Sequence, residues 1–263
     1  MRLENMVAIV TGAGRGMGKA TAEAMAKEGA RIAVIDISDQ RVKDSADGIN
    51  KAGGQAIPIR MDVSNSDEVK EAVGTVLEQF GRVDILVNNA GIGQVENFLD
   101  GNEERWDRII AVNLRGPVIL SRAVLDGMVE RKRGKIINIA SIAGLIPCNG
   151  QVVYSASKGG LVAFTRSLAA EMAPHHININ AICPGHVETP LFAKGRELLP
   201  PHLMPYYRQL ESGIPWGRMG LAEDIAGVAV FLASDDSEYI TGQCISVAGG
   251  VTHFPDAQST VVT

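Results

Sequence analysis

The feature that most constrains this chain is its alternation of short apolar runs with amphipathic runs from end to end. Val7-Ala8-Ile9-Val10 is followed by a helical pattern from Met17 to Glu28. Arg31 to Asp36 is followed by one from Asp39 to Ala52, and Ala56 to Arg60 by one from Asp67 to Phe80 with Ser66 as its expected cap. Strands are expected again at Ile85–Asn88, Lys135–Ala140, Ile177–Ile182 and Cys244–Val247, and helices at about 103–130, 152–172 and 222–232. Strands that are apolar at every position, not at alternate ones, must be buried on both faces. Regular strand–helix alternation therefore predicts an α/β fold built on a doubly wound parallel sheet covered by helices. No linker interrupts the pattern, so a single domain over residues 1–263 is expected. One segment breaks the rhythm. Six of the eleven prolines fall between Pro184 and Gly220, and a long irregular insertion near strand ends usually serves as a binding segment. A substrate lid is expected at about 186–216.

Bulk properties narrow the function. Hydrophobic residues make up 46% and charged residues 21% of the chain, enough for a sizeable core. The net charge of −5 and the absence of a long basic block argue against a nucleic-acid partner. Three scattered cysteines without a CxxC provide neither a disulfide frame nor a metal site and fit a reducing compartment. The absence of a long apolar run argues against a membrane span, so a cytoplasmic protein is expected.

The first strand runs into Thr11-Gly12-Ala13-Gly14-Arg15-Gly16-Met17-Gly18. Glycines allow the backbone to approach a phosphate, and the following helix offers free N–H groups and its positive dipole end. The spacing excludes a P-loop, and the strict GxGxxG also fails, because the sixth position is Met17 from Gly12 and Lys19 from Gly14. What remains is GxxxGxG at residues 12, 16 and 18. The second strand ends in Asp36, where a carboxylate can accept hydrogen bonds from an adenosine ribose and repel a 2′-phosphate. Arg15 would favour a 2′-phosphate, but Ile37 adds no cation, so NAD is expected over NADP. Late in the chain, Tyr154 and Lys158 of "YSASK" stand one helical turn apart. A nearby positive charge favours phenolate, so the spacing predicts a lowered tyrosine pKa and an acid/base group.

"TGAGRGMG", Asp36, Asp62-Val63, "NNAG" at 88–91, Asn113, Ser141, "YSASK" and "PG" at 184–185 together resemble the short-chain dehydrogenase/reductase family in order and spacing. The resemblance spans about residues 7–250. It implies a Rossmann-like sheet with strand order 3-2-1-4-5-6-7, hydride transfer between nicotinamide and a carbonyl or alcohol carbon, a small-molecule substrate, and a homo-oligomer, dimer or tetramer. By that resemblance Tyr154 is the general acid/base and Lys158 lowers its pKa and holds the nicotinamide ribose. Ser141 steadies the substrate oxygen, and Asn113 holds a water that links Lys158 to solvent. Gly12, Arg15, Gly16, Met17, Gly18, Asp36, Ile37, Asp62, Val63, Asn89, Ala90, Gly91, Pro184, Gly185, Val187 and Thr189 are implied around the cofactor. No metal is implied. Where many members read Val-Asp-Gly-Gly, this chain has Val247-Ala248-Gly249-Gly250, which implies a local change near the last strand.

The substrate is less legible. Gln94, Ile142, Leu145, Cys148, Gln151, His186, Leu191 and Phe192 are candidate pocket residues. Lys194, Arg196 and Arg208 in the lid are candidate anion contacts. The reading that follows is an NAD-dependent dehydrogenase of a secondary, diol or cyclic alcohol. The alternatives are a 3-oxoacyl-thioester reductase, whose carrier-linked members resemble NADPH users, and a catalytically silent dinucleotide-binding protein.

Overall fold

In the computed structural model the described residues are 1–93, 95–190, 192–193 and 212–252. Seven strands form one parallel sheet: β1 (Val7–Thr11), β2 (Arg31–Asp36), β3 (Gln55–Arg60), β4 (Ile85–Asn88), β5 (Gly134–Ile139), β6 (Ile177–Pro184) and β7 (Cys244–Val247). Their order is β3-β2-β1-β4-β5-β6-β7, the order that the family resemblance implies. Helices α1 (Gly16–Lys27), α2 (Asp39–Lys51), α3 (Ser66–Phe80), α4 (Glu103–Ile110), α5 (Gly116–Arg131), α6 (Val152–Met172) and α7 (Ala222–Ala233) cover both faces.

The all-apolar strands explain themselves in the packing. Ala8 and Val10 point to one face, where Ile32, Val34, Ile137 and Ile139 meet Met25 of α1, Ile49 of α2 and Ile225 of α7. Val7 and Ile9 point to the other, where Ile35, Leu86 and Ile136 meet Val73 of α3 and Leu120 of α5. Each strand thus contributes to two cores, as its period of two requires. Among the described residues, no helix is long and apolar enough to cross a membrane.

Two local expectations change. The cap of α3 is Asn65, not Ser66. Asn65 is extended, and its Oδ1 accepts from Asp67 N at 3.0 Å and Glu68 N at 3.4 Å, while Ser66 is already the first helical residue. The helix expected over 103–130 is divided into α4, one π-turn at Ala111–Arg115, and α5. Pro117 has no N–H to give to the carbonyl four residues back, that of Asn113, so the regular ladder cannot pass through this point. The wide turn holds Asn113 fully buried.

Candidate active site

The strand order reverses between β1 and β4, and the loops that follow these strands meet at the carboxyl edge of the sheet, the usual ligand position in open α/β folds. Asn89 ties them together. Its Nδ2 donates to Thr11 O at 2.8 Å and Gly12 O at 3.3 Å, and the Thr11 hydroxyl accepts from the N–H groups of Asn89 and Ala90, both at 3.0 Å. The glycine loop could not be built from other residues. Gly12 and Gly16 have φ of +63° and +58°, the left-handed region that favours glycine. A Cβ on Gly18 would lie 2.3 Å from Gly12 O. Gly18 therefore sits beneath the loop, letting α1 press against it. Helix α1 has no side-chain cap on its first turn, which leaves its N–H groups to an anion.

A cleft opens above this loop. Gly12, Arg15, Gly16, Met17, Asp36, Ile37, Asp62, Val63, Asn89, Ala90, Gly91 and Thr189 line it, as expected from the sequence. Pro184, Gly185 and Val187 are not in its wall. Gly185 donates its N–H to Val247 O at 3.0 Å, and Val187 is buried and bridged to Gly220. These residues fix the neighbouring sheet edge. The sequence reading missed Arg41, Arg108 and Ile92, which also line the cleft. Arg108 donates to Asp62 Oδ2 at 2.9 Å and Ser64 Oγ at 2.7 Å.

Tyr154 and Lys158 leave α6 one turn apart, as their spacing predicts. The Lys158 ammonium is buried. It donates to Ile139 O at 2.8 Å and lies 5.8 Å from the Tyr154 ring centroid. Burial pushes Lys158 down to about 8. The expected lowering of the tyrosine is not found. Burial raises the Tyr154 phenol above its ordinary value, with a hydrogen bond to Ser141 pulling the other way. The reason is that removing a phenolate from water outweighs that bond, with the nearby Cys148 thiol adding to the rise. Ser141 lies two residues past β5, and its hydroxyl also accepts from Ala143 N at 3.1 Å.

Asn113 completes the group from the π-turn. Its Oδ1 accepts from Ile92 N at 2.9 Å, and its Nδ2 donates to Ile92 O at 2.9 Å and Ser157 Oγ at 3.2 Å. It thereby fastens the strand β4 loop to the turn of α6 that carries Lys158. A Cβ on Gly91 would lie 3.4 Å from Asn113 Oδ1 and 3.6 Å from Lys158 Nζ, so the cleft, Asn113 and Lys158 converge at Gly91. The Ser141 and Tyr154 hydroxyls are close enough to bond each other, and an oxygen placed between them could be held by both. Such a pair can steady a developing alkoxide and exchange a proton with it.

The residues proposed around the substrate are only partly assembled. Ile142 packs with Ile214, Val251, Ile146 and Met219 in a small apolar cluster beside the site. The Cys148 thiol is close enough to Tyr154 to oppose its ionisation, Gln151 directly precedes α6, and Leu145 is partly exposed. The His186 ring meets Phe192 edge-on, with centroids 6.1 Å apart. Gln94, Leu191, Lys194, Arg196 and Arg208 lie outside the described residues, as does the middle of the expected lid. Among the described residues, no group of three or more His, Cys, Asp or Glu could hold a metal ion.

Comparison with known proteins decides the family. The family model described as "Enoyl-(Acyl carrier protein) reductase" matches residues 12–252. The chain belongs to the short-chain dehydrogenase/reductase family. A Thermotoga maritima protein named 3-oxoacyl-[acyl-carrier-protein] reductase FabG is 39% identical over 251 residues, spanning 95% of this chain and 99% of its own. The Thauera aromatica (2S)-[(R)-hydroxy(phenyl)methyl]succinyl-CoA dehydrogenase subunit BbsD is 39% identical over 254 residues, spanning 97% and 99%. A solved short-chain type dehydrogenase/reductase from Mycobacterium marinum superposes with a TM-score of 0.88 at 36% identity, covering 95% and 97% of the two chains. The protein is thus an oxidoreductase of a family that uses a nicotinamide dinucleotide. The cleft fits that group: it combines left-handed glycines, a Gly18 whose missing Cβ lets α1 meet the loop, uncapped N–H groups, and an acid at the end of β2.

Proposed function

We propose that the protein interconverts a 3-oxoacyl thioester and the corresponding 3-hydroxyacyl thioester. This places the thioester reading ahead of the simple alcohol dehydrogenase favoured by the sequence, because the names of the Thermotoga maritima and Thauera aromatica relatives specify carrier- or coenzyme A-linked acyl groups. The observation that carries the chemistry is the contact between Ser141 and Tyr154 with Lys158 one turn below. The bound nicotinamide supplies or accepts the hydride at the carbonyl carbon. The chain's own residues handle the oxygen. Ser141 and Tyr154 donate to it as negative charge develops, and Tyr154 transfers the proton. Its raised pKa keeps the phenol in the acid form at neutral pH, the form needed for reduction. Lys158 supplies positive charge behind the phenol and, with Asn113, sets the position of α6 against the Gly91 loop. Asp36, Asp62 and the glycine loop hold the adenosine half, and Thr189 reaches over Gly16.

A second reading, a dehydrogenase of a small secondary alcohol, is favoured by Asp36 in the cleft wall, since an acid there suits the unphosphorylated dinucleotide. A substrate panel separates the two. The purified protein should oxidise NADH or NADPH with acetoacetyl-CoA at a kcat/KM at least about tenfold above that for cyclic or short-chain ketones, the value of one good carrier contact. Equal or better turnover of the simple ketones would replace the first reading by the second.

A further inference from the structure

The adenosine end of the cleft carries a charge pair that the family motifs do not describe. Arg41, in the first turn of α2, donates from one terminal nitrogen to Asp36 Oδ1 at 2.7 Å. Ser38 N donates to the same oxygen at 3.2 Å, and Gly14 N donates to Oδ2 at 3.2 Å. Gly14 makes the arrangement possible. A Cβ there would lie 2.6 Å from Arg41 Cβ and 2.8 Å from Asp36 Oδ2. The Arg41 Nε, by contrast, is buried without a hydrogen-bond partner. A buried N–H left unsatisfied is costly, so this seat on Asp36 is an imperfect one that the guanidinium can leave at less cost than a fully bonded pair. Arg41, Asp36 and Arg15 all line the cleft, while Arg108 is held on Asp62.

We propose that Arg41 is a cofactor-selecting residue that opens the cleft to a dinucleotide carrying a 2′-phosphate as well as to one without it. With a free ribose, Arg41 stays on Asp36 and the carboxylate keeps acceptor capacity for the ribose hydroxyls. With a 2′-phosphate, the guanidinium turns from the carboxylate to the phosphate, opposite Arg15. Asp36 then does not stand as a bare negative charge against the phosphate, because Arg15 and Arg41 line the same wall while the second carboxylate, Asp62, is paired with Arg108. Selection at this end is consequently weak. The inference rests on the cleft being the dinucleotide site and not on the identity of the carbonyl substrate.

The test is equilibrium binding. Wild-type protein and Arg41→Met, which keeps the stem packed against Gly14, are titrated with NADH and NADPH by nicotinamide fluorescence. They are also titrated by calorimetry with adenosine 5′-monophosphate and adenosine 2′,5′-bisphosphate, which differ only in the 2′-phosphate. Wild type is expected to bind both dinucleotides with Kd values within about tenfold of each other. Arg41→Met should weaken NADPH and the bisphosphate about tenfold or more, the loss of one charge-assisted bond, and change NADH and the monophosphate by less than about threefold. Arg41→Lys should restore most of the NADPH affinity and serves in place of the methionine variant if that variant does not fold, with a loss of NADPH affinity beyond about tenfold then counting against the inference. An unchanged ratio of the two dinucleotides in Arg41→Met would overturn the inference alone. Binding of neither dinucleotide to wild type would overturn it together with the assignment of the cleft.

Discussion

Asn113→Ala is the sharpest structural perturbation of the site, because the side chain is fully buried and satisfies three groups at once. Its removal leaves the Ile92 N–H and C=O without their partners and frees the Ser157 hydroxyl. A fully buried backbone group left unpaired costs about 1–3 kcal/mol, an upper bound for these part-buried ones. Two of them give about 2–6 kcal/mol, and entry of a water into the vacated space would hold the loss near the lower half, about 3 kcal/mol. For a chain of this size that corresponds to a fall in Tm of about 6–12 °C. Urea unfolding followed by the fluorescence of Trp106 and Trp216 reads it directly, with the thermal midpoint as a second measure. The same variant should lose turnover, because the Gly91 loop and the turn carrying Lys158 are no longer fastened together. A stability loss below about 1 kcal/mol would refute the reasoning, since Asn113 would then not be the tie between β4 and α6.

Two further perturbations follow from the geometry. Gly18→Ala places a methyl 2.3 Å from the Gly12 carbonyl oxygen. Overpacking of that kind costs about 1–3 kcal/mol or more, so the Tm should fall and NADH binding weaken, and an unaltered Kd would show that α1 need not approach the loop so closely. Lys158 has an ordinary value of 10.5 and is held at about 8 by burial. Between those values the unfolded chain binds the proton more tightly than the folded one. The penalty for burying the charged lysine is therefore fully present below pH 8 and is relieved as pH rises from there. The stability of wild type relative to Lys158→Met should increase by about 1–2 kcal/mol between pH 7.5 and 9.5. Urea midpoints at the two pH values measure this, and a difference that stays constant or reverses would show that Lys158 is not held below its ordinary value.

Much of this molecule was legible as sequence for physical reasons. Strands such as Val7–Val10 and Ile85–Asn88 have to be buried on both faces, so their apolar runs declare a parallel sheet. The left-handed glycines at 12 and 16 follow from the turn they make. The spacing of Tyr154 and Lys158 places them on one helix face in any α-helix. What sequence hid depends on contacts between distant segments. Arg41 reaches Asp36 because α2 folds back along the end of β2 and Gly14 leaves room for both. Spacing suggested a lowered Tyr154 pKa, yet the environment raises it, since the burial of the phenol appears only when α6 is packed into the fold. The pattern over 103–130 predicts one continuous helix, and neither its break before Pro117 nor the π-turn that buries Asn113 could be read from sequence position alone.

The measurement that bears most directly on the central claim is the turnover of Tyr154→Phe with acetoacetyl-CoA, alongside its affinity for NADH and NADPH. Removal of one phenolic oxygen should lower kcat by about 10²–10⁴, the contribution of a positioned proton donor, and leave dinucleotide Kd values within about twofold, because Tyr154 stands outside the cleft wall that holds the adenosine half. Turnover within a few-fold of wild type would contradict the account and remove Tyr154 from the chemistry.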